Sequence, residues 1–241
     1  MTVLLLAGTT EGRRIATAMA DERIDGHASI AGVTEDPAPL DLPMRVGGFG
    51  GSDGFEAFLD DRKIRAVVDA THPFAARITS RTAAICTARG MPYLHVLRPP
   101  WIEEEGDDWV HAASIDDAIE AVPLGACVFL ATGRQTLGEF AGLEGRRVIC
   151  RVIDPPREPF PFEGGEFVIG RPSVHVEDEI GLFEELGVDV IVTKNSGGPG
   201  RGKLDAARAL GIDVVMIARP PMPKAERVAT VEEALHWIRR L

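Results

Sequence analysis

The sequence has few cysteines, and no two of them lie close together. Among 241 residues only Cys86, Cys127 and Cys150 are present. An odd number without a close pair argues against a disulfide framework and against a zinc site. Each cysteine stands in an apolar stretch, which is typical of a buried, reduced thiol. We therefore expect no bound metal and a cytoplasmic location.

Long apolar runs and a surplus of positive charge are also missing. Apolar runs such as Val3 to Ala7 are far shorter than the roughly 18 residues of a membrane span and fit a buried strand. The N-terminal segment has no positively charged region, so we expect no export signal. With 26 basic and 37 acidic residues the net charge is −11, which disfavours nucleic-acid binding. An anionic ligand would need a local cluster of cations and backbone N–H groups.

The sequence does contain an internal repeat, with an offset of about 120 residues. Three segments recur in the same order: Val3 to Gly12 matches Cys127 to Gln135, Gly90 to Pro100 matches Gly211 to Pro221, and Ser114 to Val122 matches Thr230 to Ile238. The last pair opens with a hydroxyl residue and then acidic residues, as helix starts do. We therefore predict two related α/β domains, residues 1–122 and 123–241.

Strand and helix patterns alternate within each half, which is typical of a parallel sheet with helices on both faces. The apolar pattern predicts strands near 2–7, 28–33, 66–70, 93–97, 126–131, 147–152, 167–170, 189–193 and 213–218. Predicted helices lie near 11–21, 53–61, 75–89, 136–141, 176–187, 203–210 and 230–240. Ligands of such sheets bind beyond the carboxyl ends of the strands, so the residues directly after strands are the site candidates.

Two polar turns follow strands in the first half. In the turn Gly8 to Arg13, glycines allow close backbone approach and a helix N-terminus attracts phosphate. The full three-glycine dinucleotide fingerprint is missing, and a plain threonine-capped helix start is the alternative. Asp69 to Ala75 follows another strand and contains Thr71 and His72. A histidine bonded to loop backbone is the alternative interpretation of His72.

The second half has a stronger local signal. Thr132 to Gln135 follows its first strand, and Arg151 ends its second. The segment Thr193 to Lys203 combines four glycines with three cations directly after a buried strand. This combination is typical of a site for phosphates or carboxylates, with a solvated loop as the alternative.

Other charged positions of the second half and of the repeat are interpreted as structural. Arg98 and Arg219 recur before paired prolines, and we expect each to pair with an acidic helix cap. The acidic segment 103–108 is interpreted as a solvated loop.

Three of these motifs resemble the precorrin-6A reductase family of cobalamin biosynthesis, which includes the cobalt-precorrin-6A reductases. They are Leu6 to Arg13, Asp69 to Ala75, and Thr193 to Gly198 with the later Arg219-Pro220-Pro221. The resemblance covers essentially the whole chain, although the family usually has an acidic residue where Asn195 stands. It implies two similar Rossmann-like or flavodoxin-like domains with a cofactor cleft between them.

The resemblance also implies a reaction, the NADPH-dependent reduction of a double bond in precorrin-6A to give precorrin-6B. The implied enzyme is an oxidoreductase that acts on a CH–CH group. The implied partner is a polycarboxylate tetrapyrrole, with hand-over to neighbouring enzymes of the pathway. Implied cofactor ligands are Gly8, Thr9, Thr10, Glu11, Gly12, Arg13, Thr71, Gly133, Arg134, Ser196, Gly197 and Gly198. His72 and Lys194 are the candidate proton donors. Arg151, Arg201 and Lys203 are the candidate ligands of substrate carboxylates.

Two alternative functions stay open at this point. A two-lobed module could bind a small anion without chemistry, and a nucleotide-sugar transferase or epimerase could use a similar cleft. NADPH is favoured over NADH because the second strand ends in Gly32-Val33-Thr34, without the acid that binds the ribose of NAD, although Glu35 and Asp36 follow.

Overall fold

The computed structural model describes residues 1–32, 38–173 and 175–241, and the chain forms two compact units. Unit 1 comprises Met1–Pro99 together with Pro220–Leu241, and unit 2 comprises Pro100–Arg219. Each unit contains a six-stranded sheet whose strand pairs are parallel. The predicted α/β fold with two parallel sheets is confirmed.

The elements follow one another in chain order as strand and helix. Before Pro100 they are β1 (Thr2–Ala7), α1 (Thr10–Asp21), β2 (Gly26–Ile30), β3 (Met44–Val46), α2 (Ser52–Asp61), β4 (Ile64–Ala70), α3 (Ala76–Ala88) and β5 (Tyr93–Val96). Unit 2 has β6 (Trp109–Ala112), α4 (Ile115–Ala121), β7 (Cys127–Ala131), a 3-10 helix (Arg134–Leu143), β8 (Arg147–Val152), β9 (Gly165–Ile169), α5 (Val176–Leu186), β10 (Val190–Lys194), α6 (Gly202–Leu210) and β11 (Asp213–Ile217). The chain ends with β12 (Glu226–Val228) and α7 (Val231–Arg239).

The two sheets have the same order, with one exchange of chain segments. Their orders are β12-β5-β4-β1-β2-β3 and β6-β11-β10-β7-β8-β9. β6 pairs with β11 of the second half, and β12 pairs with β5 of the first half. The last strand and helix of each half thus belong to the other unit, and the units do not coincide with the predicted domains 1–122 and 123–241. Short edge strands carry too little pattern to reveal which sheet they join.

The predicted long strands are the buried centre of each sheet. β1 is buried from Val3 to Ala7 on both faces, because helices cover both sides of a parallel sheet. The strands β3, β6 and β12 were not predicted, since runs of three or four residues show no clear period. The strand predicted near 28–33 is observed at Gly26–Ile30, and residue 33 lies outside the described residues.

Burial also determines the state of the cysteines. All three are buried and free, and burial raises the pKa of the Cys86 thiol to about 12 and that of Cys150 to about 11.

No helix within the described ranges is long and apolar enough to span a bilayer.

Candidate functional site

The turn after β1 joins strand, helix and neighbouring strand at the carboxyl edge of the first sheet. Thr9 caps α1: its Oγ1 accepts from the Gly12 N–H at 3.2 Å and donates to the Ala70 carbonyl at 2.9 Å. A Cβ added at Gly12 would lie 3.1 Å from Cα of Ala7 and 3.3 Å from Cβ of Ala70. Glycine therefore lets the N-terminus of α1 approach the sheet, while the exposed Gly8 leaves the backbone open to a ligand.

A buried carboxylate holds the neighbouring turn after β4. Asp69 is fully buried and accepts from the Thr71 N–H at 3.0 Å, from the Thr71 Oγ1 at 2.7 Å and from the Tyr93 hydroxyl at 2.9 Å. Burial, reinforced by the charge of Asp69, raises the pKa of Tyr93. A Cβ at Gly8 would lie 3.4 Å from Cα of Thr71, so the two turns adjoin. Asp69 thus orients Thr71 beside the α1 turn.

His72 is half-buried and bonds to its own loop. Its Nδ1 accepts from the Phe74 N–H at 3.2 Å. With Nδ1 acting as acceptor, a neutral ring carries its proton on Nε2, an assignment inferred from the hydrogen bond. Nε2 is therefore the atom from which His72 could deliver a proton.

The two repeated arginines contact different partners. Arg98 Nη1 donates to Glu11 at 3.0 Å, in the first turn of α1, so its expected pairing with an acidic helix start is confirmed. Arg219 donates to two backbone carbonyls, those of Asn195 at 2.8 Å and Ser196 at 3.0 Å. Arg219 thereby stabilises the loop after β10.

In unit 2, Lys194 holds the turn after β7. Its Nζ donates to the Thr132 carbonyl and to the Thr136 hydroxyl, both at 3.0 Å. Burial lowers the pKa of this lysine. Gly133, at φ 79°, leads into the 3-10 helix, whose first residue Arg134 is exposed. Lys194 thus links the turn before this helix to Thr136 in its first turn, while the helix start itself has no side-chain cap.

The glycine-rich loop after β10 is held by a tryptophan. The side-chain amide of Asn195 accepts from the Trp101 N–H at 2.8 Å and donates to the Trp101 carbonyl at 3.1 Å. The indole Nε1 of Trp101 donates to the Gly198 carbonyl at 2.9 Å. Gly197 and Gly198 have φ values of 66° and 78°, a conformation that favours glycine. The loop is therefore fixed by specific hydrogen bonds.

Arg151, a predicted substrate ligand, is paired within unit 2. Its guanidinium makes two 2.8 Å bonds to Glu179, and the two side chains are only 7% and 2% exposed. It also lies 4.8 Å from the ring centroid of Phe129. A buried charge needs a partner, and Arg151 already has one inside the protein.

Arg201, also a predicted substrate ligand, has acidic partners within unit 2 as well. It donates to Asp107 at 2.6 Å and to Asp205 at 3.1 Å, and is 17% exposed. Asp107 also pairs with Arg208, at 3.4 Å. Segment 103–108, interpreted as a solvated loop, thus supplies Asp107, whose side chain is only 1% exposed.

Lys203 is the third predicted substrate ligand. It is buried, and its Nζ donates to the Gly200 carbonyl at 2.9 Å. The same nitrogen lies 4.3 Å from the ring centroid of Trp101, a cation–π distance. These contacts hold its own loop.

The remaining candidates gather at two sheet edges. Unit 1 brings together the Gly8–Arg13 turn, Thr71 and His72, and unit 2 brings together Lys194 with the turn Thr132–Arg134. No local pattern indicated the contacts of Trp101 or Thr136, whereas Asp69 was recognisable as an acid at the end of a buried strand. Within the part of the chain that the structure describes, no cluster of histidine, cysteine and acidic residues could hold a metal ion.

Comparisons with known proteins agree along the whole chain. Residues 2–239 match the family model described as Precorrin-6x reductase CbiJ/CobK. A precorrin-6A reductase of Rhodococcus erythropolis is 43% identical over 240 residues, covering 98% of this chain and 96% of the relative. The precorrin-6A reductase of Rhodobacter capsulatus is 37% identical over 238 residues, covering 98% and 95%.

The fold is similar to that of a solved relative. A structure described as CobK precorrin-6A reductase superposes with a TM-score of 0.94 at 37% identity, covering 100% of this chain and 96% of the other. This similarity agrees with the two parallel sheets described above. The chain belongs to the precorrin-6x reductase family.

Proposed function

We propose that this chain reduces a double bond of the tetrapyrrole precorrin-6A with NADPH, giving precorrin-6B in cobalamin biosynthesis. Relatives named precorrin-6A reductase, 43% and 37% identical over nearly the whole chain, support the substrate and the reaction. Membership in a reductase family favours this function over an anion-binding module or a nucleotide-sugar enzyme. Three free, buried cysteines support a cytoplasmic location.

The observation that carries the cofactor proposal is the turn after β1. A Cβ at Gly12 would lie only 3.1 Å from Cα of Ala7, so glycine lets α1 pack close to the strand, with the N–H groups of its first turn at the carboxyl edge. Gly8 is exposed there, without a side chain that would block an approaching pyrophosphate. These residues fit a dinucleotide, and NADPH when bound supplies the hydride.

Residues of both units are also assigned to the cofactor. In unit 1 Thr71 adjoins the Gly8 turn, and its orientation is set by Asp69. In unit 2 the assignment covers Gly133 and Arg134, together with the glycine-rich segment Ser196–Gly198. The preference for NADPH over NADH depends on residues 33–36, which lie outside the described residues.

The proton that completes the reduction is assigned to His72. Its Nδ1 is taken by the Phe74 N–H, so Nε2 is the donor atom. Lys194, the second candidate, donates to Thr132 and Thr136, and we propose that its principal role is to hold that turn.

Exposed arginines at the sheet edges are more accessible to substrate carboxylates than the predicted Arg151, Arg201 and Lys203, which have partners inside the protein. Arg77 lies in the first turn of α3, and Arg171 follows β9. Both are exposed and have no ion pair with any residue the structure describes. A tetrapyrrole polycarboxylate requires such accessible guanidinium groups.

The test combines nucleotide binding with turnover of precorrin-6A. Wild-type protein should bind NADPH saturably and more tightly than NADH, as followed by nicotinamide fluorescence. In His72→Asn the amide oxygen can still accept from the Phe74 N–H, but Nε2 is lost. We expect an NADPH Kd within about twofold of wild type and a turnover reduced about 100-fold, the scale of general acid catalysis.

Two results would count against this function. Well-folded wild-type protein that binds neither nucleotide would exclude the reductase. Undiminished turnover in His72→Asn would remove His72 as the proton donor while leaving the reductase in place.

A further inference from the structure

Trp101 contacts the glycine-rich loop after β10 at several positions. Its backbone N–H and carbonyl are both bound by the amide of Asn195, at 2.8 and 3.1 Å. Its indole N–H donates to the Gly198 carbonyl at 2.9 Å, and its ring lies 4.3 Å from Lys203 Nζ. Trp101 is 9% exposed and belongs to the apolar core of unit 2. A rigid core residue thus contacts the beginning, middle and end of the loop.

The loop needs such support because its central residues have little of their own. Gly197 and Gly198 have no side chains to pack, and glycine loses more backbone entropy on ordering than any other residue. Their φ values of 66° and 78° place both in the left-handed region. The carbonyl of Gly198 is held by the indole of Trp101, which fixes the peptide plane that follows the two glycines.

We propose that Trp101, clamped by Asn195, is a positioning residue that preorganises Ser196–Gly198 for the cofactor. This proposal rests on the proposed function, which assigns that segment to NADPH. A preordered loop binds more tightly, because the entropy of ordering is lost during folding and not during binding.

The chemistry of Asn195 makes the clamp specific. The Trp101 backbone presents one donor and one acceptor, and an amide offers both complementary groups. An ionised carboxylate accepts only, so Asn195→Asp would place negative charge against the Trp101 carbonyl. This substitution conserves size and removes one of the two clamp bonds.

Trp109 provides a matched control. It is 8% exposed and lies in the same core as Trp101. Its Nε1 is buried and has no hydrogen-bond partner among the described residues. Tryptophan-to-phenylalanine changes at the two positions remove the same atoms from the same core, but only Trp101→Phe loses a hydrogen bond to the loop. The ring of Trp109 lies 5.4 Å from the guanidinium carbon of Arg201, and phenylalanine keeps an aromatic ring at this position.

The experiment measures loop order and cofactor affinity in the full chain. Hydrogen–deuterium exchange of the peptide covering 195–203 should be faster in Trp101→Phe than in Trp109→Phe. The NADPH Kd should rise about fivefold in Trp101→Phe, the effect of one hydrogen bond, and stay near the wild-type value in Trp109→Phe. Asn195→Asp should shift both readouts in the direction of Trp101→Phe. Saturating NADPH should restore the protection of the loop in Trp101→Phe.

The outcomes separate this proposal from the function on which it rests. Equal exchange and equal Kd in the two phenylalanine variants would overturn the role of Trp101. Faster exchange with an unchanged Kd would also overturn it, since the ordered loop would then not serve the cofactor. Failure of the wild type to bind NADPH would overturn the proposed function itself, and is determined before the variants are compared.

Discussion

The two units have the same sheet order, yet they hold equivalent turns with opposite charges. Ala7 pairs with Ala70 in the first sheet, and Ala131 pairs with Thr193 in the second. The next residues along β4 and β10 are Thr71 and Lys194, which therefore occupy equivalent positions. Thr71 is oriented by a buried carboxylate, whereas Lys194 is itself a half-buried cation.

The helix that follows the first strand differs accordingly. α1 has a threonine cap, and Glu11 in its first turn pairs with Arg98. The 3-10 helix after β7 has no side-chain cap, and Lys194 binds its neighbouring carbonyl and the Thr136 hydroxyl. In the same topology, two different sets of side chains therefore satisfy the backbone polar groups at a strand end.

The cations of the two units also differ in whether they have partners inside the protein. The sequence predicted an anion site in unit 2 from three cations, Arg151, Arg201 and Lys203. Each of them binds a group inside the protein. Accessible arginines such as Arg77 and Arg171 occur in both units. Positive charge in a sequence therefore indicates a site only after its internal partners are known.

The largest expected effect concerns the buried ion pair of unit 2. Arg151→Met should lower the free energy of unfolding by about 3–5 kcal/mol, because it leaves Glu179 buried without its partner. The double variant Arg151→Met with Glu179→Leu should recover most of that loss. Urea unfolding followed by circular dichroism gives both values.

An exposed pair in unit 1 is the control for this prediction. Arg89 pairs with Asp60 at the surface, and Arg89→Met should change stability very little. If Arg151→Met were no more destabilising than Arg89→Met but raised the KM for the tetrapyrrole, Arg151 would be a substrate ligand after all.

The next effect concerns the helix starts. Gly12→Ala should lower stability by about 1–3 kcal/mol and weaken NADPH binding, because the added methyl overpacks the contact of α1 with β1 and β4. In the 3-10 helix of unit 2, an added Cβ at Gly138 meets nothing within 4 Å. Gly138→Ala should stay within about 0.5 kcal/mol of wild type. Equal thermal stabilities of the two variants would contradict the packing role of Gly12.

The smallest effect is a difference in pH dependence. Folding lowers the pKa of Lys194, so below the ordinary lysine value of 10.5 the unfolded chain binds more protons at this residue. The stability of wild type relative to Lys194→Met should therefore rise as the pH increases from 7 toward 10.5. This stability difference should rise by well under about 1.4 kcal/mol per pH unit, the maximum for one titrating group, because the ammonium is only half-buried.

Thr71→Val is the control in unit 1, since neither side chain at this position ionises. Its stability difference from wild type should be flat over the same pH range, as measured by urea unfolding at each pH. A flat difference for Lys194→Met would show that burial has no influence on the charge of Lys194.

Much of the fold was predictable because the central strands are long and apolar. β1, β8, β10 and β11 lie within about a residue of their predicted limits, since burial on both faces leaves a continuous apolar run. Thr9 and Gly12 were predicted as part of a helix start at the sheet edge, from local chemistry alone. The partners of Arg151 and Trp101 were not predictable, because Glu179 and Asn195 are distant in sequence and no local rule connects them.

The α/β class, the duplication and the turns that follow the central strands could be predicted from the amino-acid order, because periodicity, capping and glycine chemistry act over a few neighbouring residues. The exchange of β6 and β12 between the sheets and the internal pairing of Arg151 and Arg201 became evident in the folded chain. Strand pairing and charge neutralisation depend on which groups meet in space. The local sequence of a short strand or of a single arginine does not indicate which distant residue it will contact.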